Sequence, residues 1–267
     1  MTMRTTVLIG LAMAGCMILY ACAKTSPDPM ADDSLTPKGA ISSADLPKGD
    51  ITGFVKLHDE FGTPKADNAG MIVSLEGLQT AFPARTRPEG RFTITNAPAG
   101  LYNLSYRKEE FGNTKLIGII HTGGSVPTTA PPINIWETPR TIPANLTVSI
   151  NKLTISLTGI ATPVQPAGTA PEQQRRVRVF FGRDDKVNAL NYTMTLPQFT
   201  LAPGGTGAFS LNFLADDLLS FKPGERVYAI VYGITATENA YVDPETKRTI
   251  YAGINPTPSN VVSFVLP

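Results

Sequence analysis

From residue 51 onward the chain alternates between apolar and polar positions. Ile51, Gly53, Val55 and Leu57 fall on one face of an extended segment, and Met71, Val73 and Leu75 on one face of a second. Phe92 and Ile94 share a face, a Pro98-Ala99-Gly100 turn follows, and Tyr102, Leu104 and Tyr106 share a face of the return segment. A period of two over short runs punctuated by Gly and Pro predicts half-buried β-strands. The second half is written the same way. Leu146, Val148 and Ile150 share a face, as do Leu153, Ile155 and Leu157 after a phase change at Asn151-Lys152, which predicts a hairpin turn or bulge. Val177, Val179 and Phe181 follow, then Phe209, Leu211 and Phe213, and Ala215 to Phe221 reads as one short helical turn. Strands this short and one-sided are not stable alone, whereas two sheets stacked face to face bury the alternating sets. The expected fold class is therefore all-β, with two tandem β-sandwich domains over residues 50–137 and 145–267. The segment between them, Glu137 to Pro143, carries proline near both ends and reads as a short semi-rigid linker.

The first 49 residues are written differently. Val7 to Ala21 is an apolar run of 15 residues behind the single charge of Arg4, too short for the roughly 20 residues of a membrane span and laid out as an export signal. Leu19-Tyr20-Ala21-Cys22 resembles a bacterial lipoprotein signal, in which the cysteine is acylated and becomes the first residue of the mature chain. Met13-Ala14-Gly15-Cys16 also fits the small-residue rule, but cleavage there would leave an apolar stub, so Cys22 is the expected lipid anchor. Residues 22–49 are rich in Pro, Ser, Asp and Gly without either period, the composition of a tether. Such a coil would span roughly 30 Å on average and about 90 Å at full stretch. Asp33-Ser34-Leu35 resembles the tripeptide used for O-glycosylation in Bacteroidota.

Composition narrows the chemistry. With Cys16 lost with the leader and Cys22 acylated, the folded part holds no disulfide, thiolate metal site or cysteine nucleophile. Residues are 42% apolar, enough for hydrophobic cores. Removal of residues 1–21 takes only Arg4 and leaves 22 basic against 22 acidic residues, a balance that argues against nucleic acid as partner.

The order Gly53-x-Val55, Gly62-x-Pro64, Ala69-x-Met71-x-Val73-x-Leu75-x-Gly77, Gly90-x-Phe92-x-Ile94, Pro98-x-Gly100-x-Tyr102-x-Leu104 resembles the carboxypeptidase regulatory-like domain, a transthyretin-like sandwich. The resemblance covers residues 50–136. It implies tight turns at Gly90 and Gly100 and adjacent core side chains at Phe92 and Tyr102. In that family the domain is an accessory to zinc peptidases, outer-membrane transporters or adhesins. The stretch from Leu219 through Pro223-Gly224, Tyr228, Ile230 and Tyr232 to Phe264 resembles the last strands of a fibronectin type III or immunoglobulin-like sandwich. That resemblance implies a tyrosine corner at Tyr228.

Catalytic groups are sparse. Only His58 and His121 could join a metal; His58-Asp59-Glu60 reads as a solvated loop at a strand end and His121 as another loop position, so no metal site or cofactor is expected. No G-x-S-x-G occurs. Asp184-Asp185, Asp216-Asp217 and Asp243 with Glu245 read as solvated turn carboxylates, and Glu238, Asn239, Asp243 and Glu245 lack the regular calcium-loop spacing. The expectation is a non-catalytic, lipid-anchored outer-membrane protein of a Gram-negative cell envelope, held to the membrane by its N-terminal lipid and binding a protein partner or a glycan. The alternatives are an accessory subunit of an envelope hydrolase or transporter, or a structural or adhesin subunit. Candidate contact residues are Tyr241 and Tyr251 in ENAYVDPETKRTIYAG, where aromatics alternate with polar residues, although Tyr251 equally suits a core. Trp136, the single tryptophan, suits either interdomain packing or a sugar-stacking face.

Overall fold

The computed structural model describes residues 46–78, 82–237 and 239–267. The segments expected to be export signal and tether, up to residue 45, with the expected anchor Cys22, and Glu238 lie outside the described residues.

The fold is all-β. The first half contributes β1 (Lys48–His58), β2 (Ile72–Leu75), β3 (Pro83–Arg85), β4 (Arg91–Pro98), β5 (Gly100–Arg107), β6 (Thr114–His121), β7 (Thr128–Thr129) and β8 (Ile133–Trp136). One sheet centres on β1, antiparallel to β4 and parallel to β7 and β8, and the other runs β3-β2-β5-β6. β1 begins at Lys48, paired with Pro98, so the first strand starts inside the segment expected to be tether. The sets that alternate in the sequence meet between these sheets: Ile51, Val55, Leu57, Phe92 and Ile94 from one, Met71, Val73, Leu75, Tyr102, Leu104 and Tyr106 from the other.

The glycines expected at tight turns play different parts. Gly90 has φ +87°, and a Cβ there would overlap Val55 O. Gly100 has no such conformation; the ring of Tyr102 folds back over it, leaving no room for a Cβ. Tyr102 Oη then donates to Pro98 O at 2.9 Å, pinning the turn, and Phe92 packs edge-on against Tyr106 rather than against Tyr102.

The second half contributes β9 (Ile142–Asn151), β10 (Thr154–Thr162), β11 (Arg176–Gly182), β12 (Met194–Thr195), β13 (Phe199–Thr200), β14 (Ala208–Leu214), β15 (Arg226–Ile234), β16 (Ala240–Val242), β17 (Thr249–Tyr251) and β18 (Val262–Val265). One sheet is β14-β10-β9; the other runs β12-β11-β15-β18, with β13 also on β11. Between them lie Leu146, Ile155, Leu157, Val177, Val179, Phe181, Phe209, Leu211 and Phe213. Lys152 and Leu153 turn the β9–β10 hairpin between the paired Asn151 and Thr154, with Lys152 at φ +56°, and Ala215–Asp217 forms a 3-10 turn.

β11 departs from simple alternation, because Arg178 and Phe180 are buried as well as Val177, Val179 and Phe181. Its outer face is covered by a further cluster: Phe180, Val187, Ala189, Ile230 and Tyr232, with Tyr192, Tyr228 and Tyr251 packed against it. Tyr228 therefore sits in this aromatic cluster, and the tyrosine-to-backbone tie expected of it is made in the first half by Tyr102.

Burial holds the phenols of Tyr102, Tyr106, Tyr192, Tyr232 and Tyr241 above the ordinary tyrosine value near 10. Folded-state values raised in this way give stability that is intact below the unfolded value and is lost as pH rises through the folded one. Urea unfolding repeated at rising pH should show the midpoint falling above about pH 10. A midpoint flat well beyond that would contradict this.

Candidate functional site

The linker and the strand ends around it form a close seam between the two sandwiches. Glu60, expected on a solvated loop with His58 and Asp59, is 8% exposed. Its Oε2 accepts from Arg140 N at 2.8 Å and from Arg175 Nη1 at 3.3 Å, and its carbonyl accepts from Ala236 N at 3.1 Å. Arg175 also donates to Thr141 Oγ1 at 3.3 Å and lies over the ring of Phe61. Two glycines let backbone meet backbone: a Cβ on Gly112 would overlap Ala252 O, and one on Gly233 would overlap Thr141 O.

A groove of about 470 Å³ follows this seam past Glu137, Pro139, Arg140 and Asn255. Two of its polar side chains, Glu137 and Asn255, already have partners within the chain. Glu137 pairs with Lys65, Asn255 Nδ2 donates to Pro139 O at 2.6 Å, and Asn255 Oδ1 accepts from Thr257 N. These contacts tie the linker to both halves along the groove.

The histidines are structural too. His121 ends β6, 2% exposed, with Nδ1 2.7 Å from Thr128 Oγ1 and Nε2 3.1 Å from Ala97 O. It is a satisfied core residue, not the loop position its neighbours Thr-Gly-Gly imply. His58 stacks on Trp136 at 5.2 Å, and desolvation holds its imidazole below the ordinary value. Trp136 is half-buried at the end of β8, directly across from His58 in the strand register. Its ring thus packs at the seam.

The two candidate tyrosines separate. β16 and β17 form a hairpin inserted between β15 and β18, with Ala240 opposite Tyr251 and Tyr241 opposite Ile250. Residues opposite one another share a face of the ribbon, so Tyr241 and Tyr251 point to opposite sides. Tyr251 faces the second sandwich, edge-on to Phe180 at 5.6 Å, with the Arg178 guanidinium 4.5 Å over its ring. Tyr241 faces the first sandwich. There it closes a groove of about 330 Å³ on the outer face of β2, β5 and β6, lined by Ile72, Ser74, Glu76, Ser105, Arg107, Asn113, Thr114 and Lys115.

The groove mixes apolar and polar lining: Tyr241 from the hairpin, and Ile72 among polar side chains on the sheet face. Burial raises the Tyr241 phenol, with the Lys115 ammonium acting in the opposite sense. Lys115 Nζ pairs with Glu76 Oε1 at 2.9 Å, and that hydrogen bond holds the ammonium above its usual range. Thr114 Oγ1 lies 3.4 Å from Asn239 Oδ1, fixing the hairpin to β6. Sequence reasoning found Tyr241 but not Glu76, Arg107 or Lys115. These are outward positions of the first-half alternation, and nothing in the sequence signals that a hairpin more than a hundred residues later covers them.

Three of the acidic candidates are engaged in local turns. Asp184 Oδ1 accepts from Lys186 N, Asp217 Oδ2 from Leu214 N, and Asp243 Oδ1 from Thr246 N and Thr246 Oγ1. Those bonds lower the Asp243 value. Among the described residues no three His, Cys, Asp or Glu side chains gather to hold a metal.

No family model matches this chain, and no curated protein matches it. Among solved structures it is similar to a candidate carbohydrate-binding protein from Bacteroides uniformis, 13% identical over 82% of this chain and 100% of that one, with a TM-score of 0.31. A DUF3823 family protein from Bacteroides ovatus is 13% identical over 83% of this chain and 100% of that one, TM-score 0.29. The major pilin SpaD from Corynebacterium diphtheriae is 13% identical over 82% of this chain and 67% of that one, TM-score 0.26. Likeness at this level assigns neither family nor ligand.

Proposed function

We propose that this is a lipid-anchored cell-envelope protein that binds a glycan in the Tyr241 groove without breaking bonds. The observation that carries the reading is the groove's make-up: the Tyr241 ring and Ile72 together with the hydroxyl and amide groups of Ser74, Ser105, Asn113 and Thr114 and the charged Glu76, Arg107 and Lys115. A sugar ring needs that combination, because its faces are apolar and its rim carries hydroxyls that both donate and accept. The volume falls within the range of small-ligand sites, roughly 300 to 1,000 Å³. The anchor at Cys22 rests on the sequence motif, and the non-catalytic reading is supported by Asp184, Asp217 and Asp243 being held in turns. The regulatory-like and fibronectin-like assignments of the two sandwiches belong to the same reading.

Glycan-array screening of the mature protein, followed by calorimetry on the best ligand, tests it. Tyr241→Ala should weaken binding about tenfold, the order of one aromatic contact, while Tyr241→Phe keeps most of it. An unchanged affinity in Tyr241→Ala, or an array with no retained glycan, would overturn the assignment.

A further inference from the structure

The two ends of the folded chain differ in a way the glycan groove does not explain. β1 runs from Lys48 to His58, and its far end leads into Glu60 at the seam, so Lys48 marks the opposite pole of the first sandwich. The chain enters there. Pro47 O accepts from Ala99 N, and Lys48 O from Gly124 N, which ties residues 46–50, 96–101 and 120–127 into one end. Leu101 and Ile120 stand directly opposite each other across β5 and β6 at that end, and they are 70% and 72% exposed. Val126, in the loop that bonds to Lys48, is 78% exposed. Among the Lys, Arg, Asp and Glu residues these segments contain only Lys48 and Asp50, and Asp50 is engaged with Asn96 N.

We propose that this pole is a bilayer-contact surface, with Leu101, Ile120 and Val126 entering the headgroup boundary. The inference rests on the lipid-anchor reading above. Three exposed apolar side chains offer only a few kcal/mol of burial, too little for a free protein to bind a membrane stably. Tethering changes that balance, since it makes the second contact intramolecular at an effective concentration on the order of millimolar. Some 25 residues separate Cys22 from Lys48; a coil of that length would average roughly 30 Å, which would make the entry pole the end nearest the lipid. The same sheet face passes from this apolar end to the polar Tyr241 groove at the seam, so contact at the pole would set the groove's height above the membrane.

Two single-cysteine forms of the full chain, Val126→Cys and Leu219→Cys, test the proposal. Leu219 is 88% exposed beyond β14 in the second sandwich, on the side away from the seam. With the leader removed and Cys22 acylated, each form has one free thiol for an environment-sensitive fluorophore. The labelled lipoproteins are placed in phosphatidylethanolamine and phosphatidylglycerol vesicles carrying a spin-labelled quencher lipid. The Val126 probe should shift to the blue and be quenched, the Leu219 probe should not, and Leu101→Ser with Ile120→Ser should abolish the Val126 signal while leaving the far-ultraviolet circular dichroism unchanged. An unquenched Val126 probe on chains whose Cys22 is acylated by mass spectrometry overturns this surface and spares the anchor. An unacylated Cys22 overturns both. Stronger quenching at Leu219, or sedimentation showing that Leu101→Ser with Ile120→Ser turns a dimer into a monomer, also overturns it, the latter in favour of a second copy of this chain.

Discussion

Glu60→Ala is expected to cost about 3 to 5 kcal/mol of stability, the range for breaking a buried ion pair by removing one partner. The side chains of Glu60 and Arg175 are 10% and 13% exposed, so water cannot take over the solvation of either charge. The substitution leaves the Arg175 guanidinium with Thr141 Oγ1 and the Phe61 ring, and leaves Arg140 N–H without its acceptor. Stranding a charge and a donor in a nearly dry seam outweighs the small gain from not desolvating the carboxylate. Glu60→Gln keeps an oxygen for Arg140 N and should cost less. Arg175→Met combined with Glu60→Ala should recover part of the loss, because no unpaired charge then remains. Because the Glu60 side chain joins the end of β1 to the linker and to Arg175 just before β11, unfolding of Glu60→Ala should also separate into two steps. Urea titration followed by tryptophan fluorescence and far-ultraviolet circular dichroism reads both effects, since Trp136 reports on the seam. A midpoint within error of the parent, with one shared transition, would show that the pair contributes nothing to joining the two halves.

Much of the fold was legible because burial on one face writes itself as alternation. Ile51 to Leu57, Tyr102 to Tyr106 and Phe209 to Phe213 all point their apolar members into cores as the period of two requires. Legibility ended where an element is buried on both faces or where burial comes from far along the chain. β11 reads as Val177, Val179 and Phe181 with Arg178 and Phe180 outward, yet both are covered by a loop and a hairpin whose own sequences give no sign of their target. Glu60 and His121 failed as surface residues for a related reason. Polar type and turn neighbours point to solvent, but their partners Arg175 and Thr128 lie on other elements and satisfy them inside. For the candidate site, the alternation in ENAYVDPETKRTIYAG placed Tyr241 and Tyr251 on a strand-like segment. Only the hairpin register sends one to each side.

That division of the hairpin is what Phe180→Ala would expose. Phe180 is fully buried on the outer face of β11, and its ring centroid lies 5.1 Å from Tyr192, 5.5 Å from Tyr232 and 5.6 Å from Tyr251, all edge-on. Truncation removes the ring around which three tyrosines pack, and a cavity of that kind costs about 3 to 5 kcal/mol. The three neighbours cannot collapse freely. Tyr192 Oη donates to Thr249 O at 2.9 Å, Tyr232 Oη accepts from Ala189 N at 3.4 Å, and Tyr251 lies under Arg178. The damage should therefore spread to the β16–β17 hairpin rather than to the main core, which Phe181 serves on the opposite face of the same strand. Tyr241 rides on that hairpin, so glycan affinity should fall along with stability, although Phe180 does not line the groove. Tyr241→Ala should lose affinity with little change in unfolding midpoint, while Phe180→Leu should restore most of both properties. Measured together, the three variants separate a contact residue from its support. If Phe180→Ala loses stability while binding stays intact, the hairpin holds its place without the aromatic cluster, and Tyr241 is positioned by its contacts to β6 alone.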